Sequence, residues 1–273
     1  MCDTTWKAHT RFKEDVDMLL DVKDIEEKAI NKLAKKECLA VRIKNYLPQE
    51  HAHNIGDKIL SSGFEKYTNA PSIGRIGMAF YEAENDVDLV EQYFQQARSN
   101  IEELRRRCLP YSSPLDTIRC QLDEAWPAGA HLETMLGKRM YVGLSRVVNP
   151  GITFLAHHDI FAKDAPDSFK AKSLESQFAC NLYLKMPGTG GALQMWKNEL
   201  SPHEFDEIRQ DSYGISPSIL GEPDLEVKPE SGDLIIFNAK KMHSVTSGEG
   251  GKRLSLSCFI GYRGNSQPLT YWS

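Results

Sequence analysis

The sequence predicts an α+β protein: a double-stranded β-helix, or jelly roll, with helices, mostly N-terminal, packed on its outside. Three observations predict it. Residues 1–137 carry mainly helical periodicity, whereas 138–273 break into short strands separated by turn signals. Eight such strands in about 125 residues suit a two-sheet roll. At 273 residues the chain can bury a large core without disulfides or structural metals, and one domain, 1–273, is expected.

Composition narrows the class. With 41% hydrophobic and 26% charged residues the chain is an ordinary globular protein. A net charge of −5 gives no electrostatic reason to expect nucleic acid or an anionic membrane as partner. No window approaches the roughly 20 apolar residues of a membrane span, and the stretch Met1 to Trp6 lacks the pattern of a secretory signal. The six cysteines form no C-x-x-C pair. Cys38, Cys180 and Cys258 lie in apolar runs and read as buried thiols, which makes a reducing, cytoplasmic setting the expectation.

Along the chain, residues 11–37 read as a helix, with Val16, Leu19, Leu20, Val22, Ile25, Ala29, Ile30 and Leu33 at helical spacing. Residues 38–47 alternate like a strand. Pro48 opens a second helix to about Ser61, where His51 and His53 do not share a face and read as surface residues. Residues 72–81 are apolar with glycines and one arginine, Arg75. The G-x-x-G there is no phosphate loop, because no G-K-[ST] follows. Asn85 is expected to cap a long helix to Cys108 with a stripe of Val87, Val90, Tyr93 or Phe94, Ala97, Ile101 and Leu104. Its last turn, Arg105-Arg106-Arg107, complements the helix dipole. Ser113-Pro114 starts another helix, to Trp126. The first half is therefore expected to hold only a strand or two.

The predicted strands are 140–148, 153–157, 177–185, 192–196, 225–228, 233–238, 244–246 and 253–262, with 187–191 as a hairpin turn. Two long loops, 160–176 and 200–223, interrupt them, and loops of that length in a compact domain tend to be functional.

Three pieces of the strand-rich half point to chemistry. In an extended strand His157 and Asp159 share a face and His158 points away. An imidazole and a carboxylate together make two-thirds of a 2-His-1-carboxylate iron site, and His243 is the natural third ligand. Arg253 and Ser255 then share a face of the last long strand, a seat for a carboxylate that guanidinium can grip with two hydrogen bonds. His158 reads as packed or hydrogen-bonded, with a substrate contact as the alternative.

With that order of motifs the chain resembles the iron(II)/2-oxoglutarate-dependent oxygenases. Residues 187–196 with their double glycine, Gly232-Asp233-Leu234-Ile235-Ile236-Phe237 and Tyr271-Trp272-Ser273 bring it nearest to the freestanding branch of N-acyl amino acid hydroxylases and hapalindole-type alkaloid halogenases. The resemblance covers the strand-rich half and, more loosely, the chain from Cys38 on. It implies that His157, Asp159 and His243 hold Fe(II), that Arg253 pairs with the distal carboxylate of 2-oxoglutarate with Ser255 assisting, and that O2 is the third co-reactant. Arg146 aligns with an arginine of this branch and would face co-substrate or substrate, or else make a salt bridge. Halogenases of the branch have glycine where Asp159 stands, leaving a metal position for chloride. The carboxylate here implies hydroxylation, or a related oxidation such as desaturation or cyclisation.

The expected substrate is a small molecule, an amino acid derivative or an alkaloid-like natural product. Its expected walls are the loop 160–176, including Phe161, the segment 72–81, and Leu193, Met195 and Trp196. Arg75 is a candidate for meeting an acid on the substrate, with His158 as a further contact. The competing readings are an oxygenase acting on a macromolecule and a non-enzymatic cupin-like metal-binding module. A cupin would not need Arg253 and Ser255 in register after His243.

Overall fold

The computed structural model describes residues 18–66, 73–83 and 86–273. The chain opens with β1 (Leu19–Val22), α1 (Glu27–Ala34), β2 (Ala40–Ile43), α2 (Gln49–Ser61), β3 (Glu65–Lys66) and β4 (Ile73–Ile76). A 3-10 turn at Phe80–Ala83 leads to α3 (Val87–Cys108) and α4 (Pro114–Ala125). Short strands β5 (Ala130–Leu132), β6 (Thr134–Met135) and β7 (Lys138–Arg139) precede β8 (Leu144–Val148) and β9 (Phe154–His157). Then come α5 (Phe161–Asp164), α6 (Phe169–Lys172), β10 (Ser176–Lys185), β11 (Thr189–Gly190) and β12 (Leu193–Met195). The chain continues through α7 (Pro202–Arg209), α8 (Pro217–Leu220), β13 (Leu225–Val227), β14 (Leu234–Asn238), β15 (His243–Val245) and β16 (Gly248–Glu249). It ends with β17 (Arg253–Tyr262) and β18 (Leu269–Trp272).

Two sheets make the roll. The large one runs β1-β2-β14-β10-β17-β8-β4-β3, with β18 on the far half of β17 and β5 beyond it. The small one runs β13-β12-β15-β9. Alternation sorts the side chains of the large sheet. Phe178, Cys180, Leu182 and Leu184 of β10 and Leu254, Leu256, Cys258 and Ile260 of β17 face outward onto α1, α2 and α4, meeting Ile30, Leu33, Ile55, Ile59, Ile118 and Leu122. Ala179, Tyr183, Ile235, Phe237 and Phe259 face inward, toward Leu193, Met195, Leu225 and Val227 of the small sheet. This is the expected double-stranded β-helix with helices on its outside.

The first half departs from its sequence pattern in four places. Residues 19–22 form a strand, and only Glu27–Ala34 of the expected 11–37 helix is helical; residues 11–17 lie outside those described. Leu19, Leu20 and Val22 fit helix and strand spacing equally, and β2 decides: β1 pairs it in parallel from Leu19↔Ala40 to Val22↔Ile43. Asp86 caps α3, accepting from Asp88 N at 2.9 Å and Leu89 N at 3.0 Å, while Asn85 lies outside the described residues. Val87, placed in the core stripe, is instead 80% exposed at the first turn. Far from holding one or two strands, the first half gives β1 to β5 to the large sheet, with β2 covering the edge of β14 and β4 that of β8.

The second half follows its pattern closely, with two differences. The 187–191 segment is no hairpin turn: β10 and β12 belong to different sheets, and the segment crosses between them with β11 paired to β16. The long loops are partly helical, α5 and α6 in one, α7 and α8 in the other.

One turn joins the two halves. Gly232 has φ +100°, and a Cβ there would lie 2.2 Å from Leu47 O. Next to it the buried Asp233 carboxylate accepts from Asn45 N at 2.9 Å and Glu230 N at 3.0 Å. It locks β2 to β14. Asp233→Ala, which orphans both amides, is expected to cost about 2–3 kcal/mol. A urea unfolding midpoint checks this, and Asp233→Asn, which keeps one acceptor oxygen, should lose about half as much.

Candidate metal centre and its inner pocket

The small sheet positions the histidines. In the β9–β15 pairing His157 lies directly opposite His243, and on the other side of β15 Met195 lies opposite His243. Directly paired residues share a face, so this row looks into the roll. The two imidazole centroids are 4.3 Å apart. Asp159 arrives differently from the expected strand alternation. β9 ends at His157, and Asp159 N–H donates to Ala239 O at 2.8 Å in the turn after β14. That turn swings the carboxylate back beside His243, Oδ2 to Nε2 at 3.4 Å.

Tautomers follow from the carbonyls. His157 Nδ1 lies 2.8 Å from Leu155 O, and His243 Nδ1 lies 2.9 Å from Lys241 O. A carbonyl only accepts, so both Nδ1 atoms carry the proton and both Nε2 lone pairs are free for a metal. Burial, then the neighbouring His243, push the His157 imidazole down to about 4, which keeps it neutral. Burial opposes ionisation of Asp159. The close approach of His243, with His157 and the Arg146 charge nearby, outweighs it and holds the carboxyl well below its usual range. One ligand atom from each of the three residues lies within 4.8 Å of the others. Two imidazoles and one carboxylate on one side of a shared point fit an iron(II) ion and leave its other side open.

The large sheet supplies the pocket behind. Register aligns Arg75, Arg146, Ser255 and Tyr183 in one row across β4, β8, β17 and β10, all facing inward. Arg253, Ser257 and Asn181 share that face two residues away. Arg253 is buried, lies over the Tyr183 ring at 5.0 Å, and makes no ion pair among the described residues. Its Nε, the hydroxyls of Tyr183 and Ser257, and Asn181 Oδ1 are all buried without hydrogen-bond partners. Burial lowers the Arg253 pKa and raises that of Tyr183. Such a cluster of buried polar atoms around a cation, with the Arg253 Nε and the Tyr183 and Ser257 hydroxyls as its donors, fits a small dicarboxylate such as 2-oxoglutarate. Arg146 lies 6.0 Å from the ring centroids of both Tyr81 and Phe259. Its charge bears on Arg253 and on Asp159, so it stands between pocket and triad.

Not every expected contact is free to act. Arg75 Nε is 2.6 Å from Glu82, its Nη1 is 3.1 Å from Glu65, and Nη1 also donates to Gly77 O at 2.8 Å. Gripping a substrate acid would first break these pairs. Phe161 is fully buried, stacked on Trp272 at 4.4 Å, a core position below the pocket. Leu193 and Met195 are buried on the inner face of β12. His158 points away from the triad, 4.4 Å from the Phe205 ring, with neither ring nitrogen paired. Sequence reasoning missed Tyr183, Asn181, Ser257 and Tyr213. The first three were legible as alternate positions on the strands that carry Arg253 and its partner; Tyr213 carried no signal.

The geometry agrees with comparison to known proteins. A profile of the family described as carrier-protein-independent halogenase WelO5 matches residues 15–273. The chain belongs to this family. It is thus a member of the iron(II)/2-oxoglutarate oxygenase superfamily with a His-Asp-His triad. It is 33% identical over 162 residues to the L-gamma-glutamyl-L-propargylglycine hydroxylase of Streptantibioticus cattleyicolor, a match covering 59% of each chain. It is 30% identical over 137 residues to the L-isoleucine 3(1)-dioxygenase of Pantoea ananatis, covering 46% of this chain and 44% of that one. The matches therefore span only about half the length of these relatives. The crystal structure of an N-substituted L-amino acid dioxygenase from Burkholderia ambifaria superposes with a TM-score of 0.61 at 17% identity, over 90% of this chain and 91% of that one, which shows a shared fold.

Adjacent histidines with opposite environments give a test. His158→Phe fills the same space and removes two unpaired buried nitrogens. It is expected to leave stability within about 1 kcal/mol and anaerobic Co(II) binding intact. His157→Phe should abolish Co(II) binding in the same titration.

Proposed function

We propose that the protein is an Fe(II)/2-oxoglutarate-dependent dioxygenase that hydroxylates an unactivated C–H of a small substrate, an amino acid derivative or an alkaloid-like natural product. The observation that carries this is the meeting of His157, Asp159 and His243 in a roll whose inner face also carries a buried Arg253 with no ion pair among the described residues. His157, Asp159 and His243 would hold the metal through two Nε2 atoms and one carboxylate oxygen. Iron(II) with 2-oxoglutarate and O2 supplies C–H oxidation, with succinate and CO2 as co-products.

The chain's own residues set the rest. Arg253, braced on Tyr183, takes the distal carboxylate of the co-substrate, with Ser255 beside it. Arg146, between Tyr81 and Phe259, sets a fixed positive charge at the metal end of the pocket. The aromatic inner face excludes water around the reacting carbon. The relatives that act on a γ-glutamyl amino acid, on isoleucine and on N-substituted amino acids support an amino-acid-like substrate.

Asp159 decides the outcome at the substrate. A carboxylate ligand fills the position that chloride takes where the branch has glycine, so the transferred group is oxygen. Turnover in chloride-containing buffer over a panel of amino acids and N-acyl or γ-glutamyl derivatives is expected to release succinate with a hydroxylated product. A chlorinated major product would overturn the assignment.

The unpaired guanidinium predicts a trade-off. Arg253→Met removes a buried charge that no carboxylate among the described residues offsets. The metal-free, co-substrate-free protein should gain about 1 kcal/mol and melt a few degrees higher. The same variant should lose the stabilisation that 2-oxoglutarate gives the wild type, read in the same melting assay.

A further inference from the structure

The two metal-facing histidines are held in different ways. The carbonyl that orients His243, Lys241 O, lies in the turn between β14 and β15. There Lys241 N–H returns to Asn238 O at 3.2 Å, and Trp196 N–H donates to Met242 O at 3.0 Å. Those partners all belong to the roll or flank its strands. His157 sits at the end of β9, the edge strand of the small sheet, whose outer edge no other strand among the described residues covers.

The segment between β12 and β13, which carries α7 and α8, covers that edge. Ala156 N–H donates to Ile215 O at 2.8 Å and Ile215 N–H to Ala156 O at 2.8 Å, both residues being buried. Leu155 N–H donates to the Tyr213 hydroxyl at 2.8 Å. Leu155 O, in turn, takes the His157 Nδ1 proton. The peptide unit joining Leu155 to Ala156 is therefore pinned at its N–H by Ile215 while its carbonyl aims His157. The Tyr213 ring stands edge-on to the His157 ring, 6.4 Å between centroids. Gly214 permits the approach, since a Cβ there would lie 2.8 Å from Ala156 O and 2.8 Å from Leu155 Cβ. On the far side of β9 the same insert holds His158 against Phe205, and Asp206 pairs with Lys163 at 2.6 Å.

We propose that this insert is a strap that positions His157, with Tyr213 and Ile215 acting through the two amides of Leu155 and Gly214 allowing their contact. Tyr213 is thus a positioning residue of the site. The outward-facing His158 is the strap's second anchor. The inference rests on the reading of His157 as a metal ligand. By reciprocity, if the strap sets the metal affinity, the metal must in turn order the strap.

The test is an anaerobic Co(II) titration of the full chain by calorimetry, with hydrogen exchange of the peptides spanning 210–220 measured with and without Co(II). Wild type, His157→Ala, Tyr213→Phe and Gly214→Ala are compared. Co(II) binding by the wild type that His157→Ala removes establishes the ligand; equal binding by both would overturn that reading, and the strap with it. Given the ligand, Tyr213→Phe and Gly214→Ala are expected to weaken Co(II) binding about tenfold, as loss of a ligand's outer partner does. The metal-free melting temperature of Tyr213→Phe should stay near the wild type's. Co(II) should slow exchange at Ile215 in the wild type and not in His157→Ala. If Gly214→Ala does not fold, Tyr213→Phe and the wild-type exchange decide. Unchanged Co(II) affinity in Tyr213→Phe together with metal-independent exchange at Ile215 would overturn the strap.

Discussion

The pairing of β9 with β15 is the constraint on which the site depends. It puts His157 across from His243 with their rings 4.3 Å apart. A slip of one residue would turn one ring out of the roll and bring His158 in, against a different set of neighbours. Register here is fixed from both sides. Phe154 pairs with Val245 further along the strands, and both are buried in one apolar cluster with Ile73 and Val148. Packing of four ordinary aliphatic and aromatic side chains thus selects which histidine can serve the metal.

The large sheet makes a different choice from the small one. It places Arg146, Arg253 and Tyr183 on a face that otherwise packs Phe237 and Phe259. A guanidinium in such a place costs free energy unless something offsets it. Arg75 has its offset within the chain, from Glu82. Arg253 has the Tyr183 ring and, on its own strand face, Ser255, with no ion pair among the described residues. The two arginines, on strands of the same sheet, thus differ in what the chain itself supplies against the cost of burial, and the proposed function assigns that difference to a bound carboxylate.

Most of this was legible in the chain after Gly137, for one physical reason. Strands that bury one face and pack helices on the other keep a period of two, so Arg253 and Ser255 had to share a side whatever their neighbours did. The triad was legible as residue types, though the reason for Asp159 was not: it reaches the metal side from a turn held by Ala239 O, beyond the end of β9. The first half read poorly where tertiary pairing overrode local pattern. Leu19, Leu20 and Val22 satisfy either period, and only the parallel edge of β2 makes them a strand. Arg75 looked available because its partner Glu82 is seven residues away on a 3-10 turn, a contact that no periodicity reports. Strand alternation puts Tyr183 on the face of Arg253 once the two strands are paired, but the stacking of the guanidinium over its ring is visible only in three dimensions.

The division of labour between the two histidines follows from topology. A jelly roll closes its small sheet poorly at β9, because the chain leaves that strand at His157 to form α5. An edge strand has amides to satisfy, and here a segment from the β12–β13 connection satisfies them with Ile215 and Tyr213. The ligand on the interior strand is thereby fixed by the core, and the ligand on the edge strand by a connection that can vary in length and sequence without disturbing the core. A roll built this way can alter what lies over its metal while keeping the metal itself. The same segment that closes the edge carries Tyr213, which packs in the cluster that also holds Tyr81 above Arg146. Under the proposed strap, a change in that element is felt at His157 as well as beside Arg146.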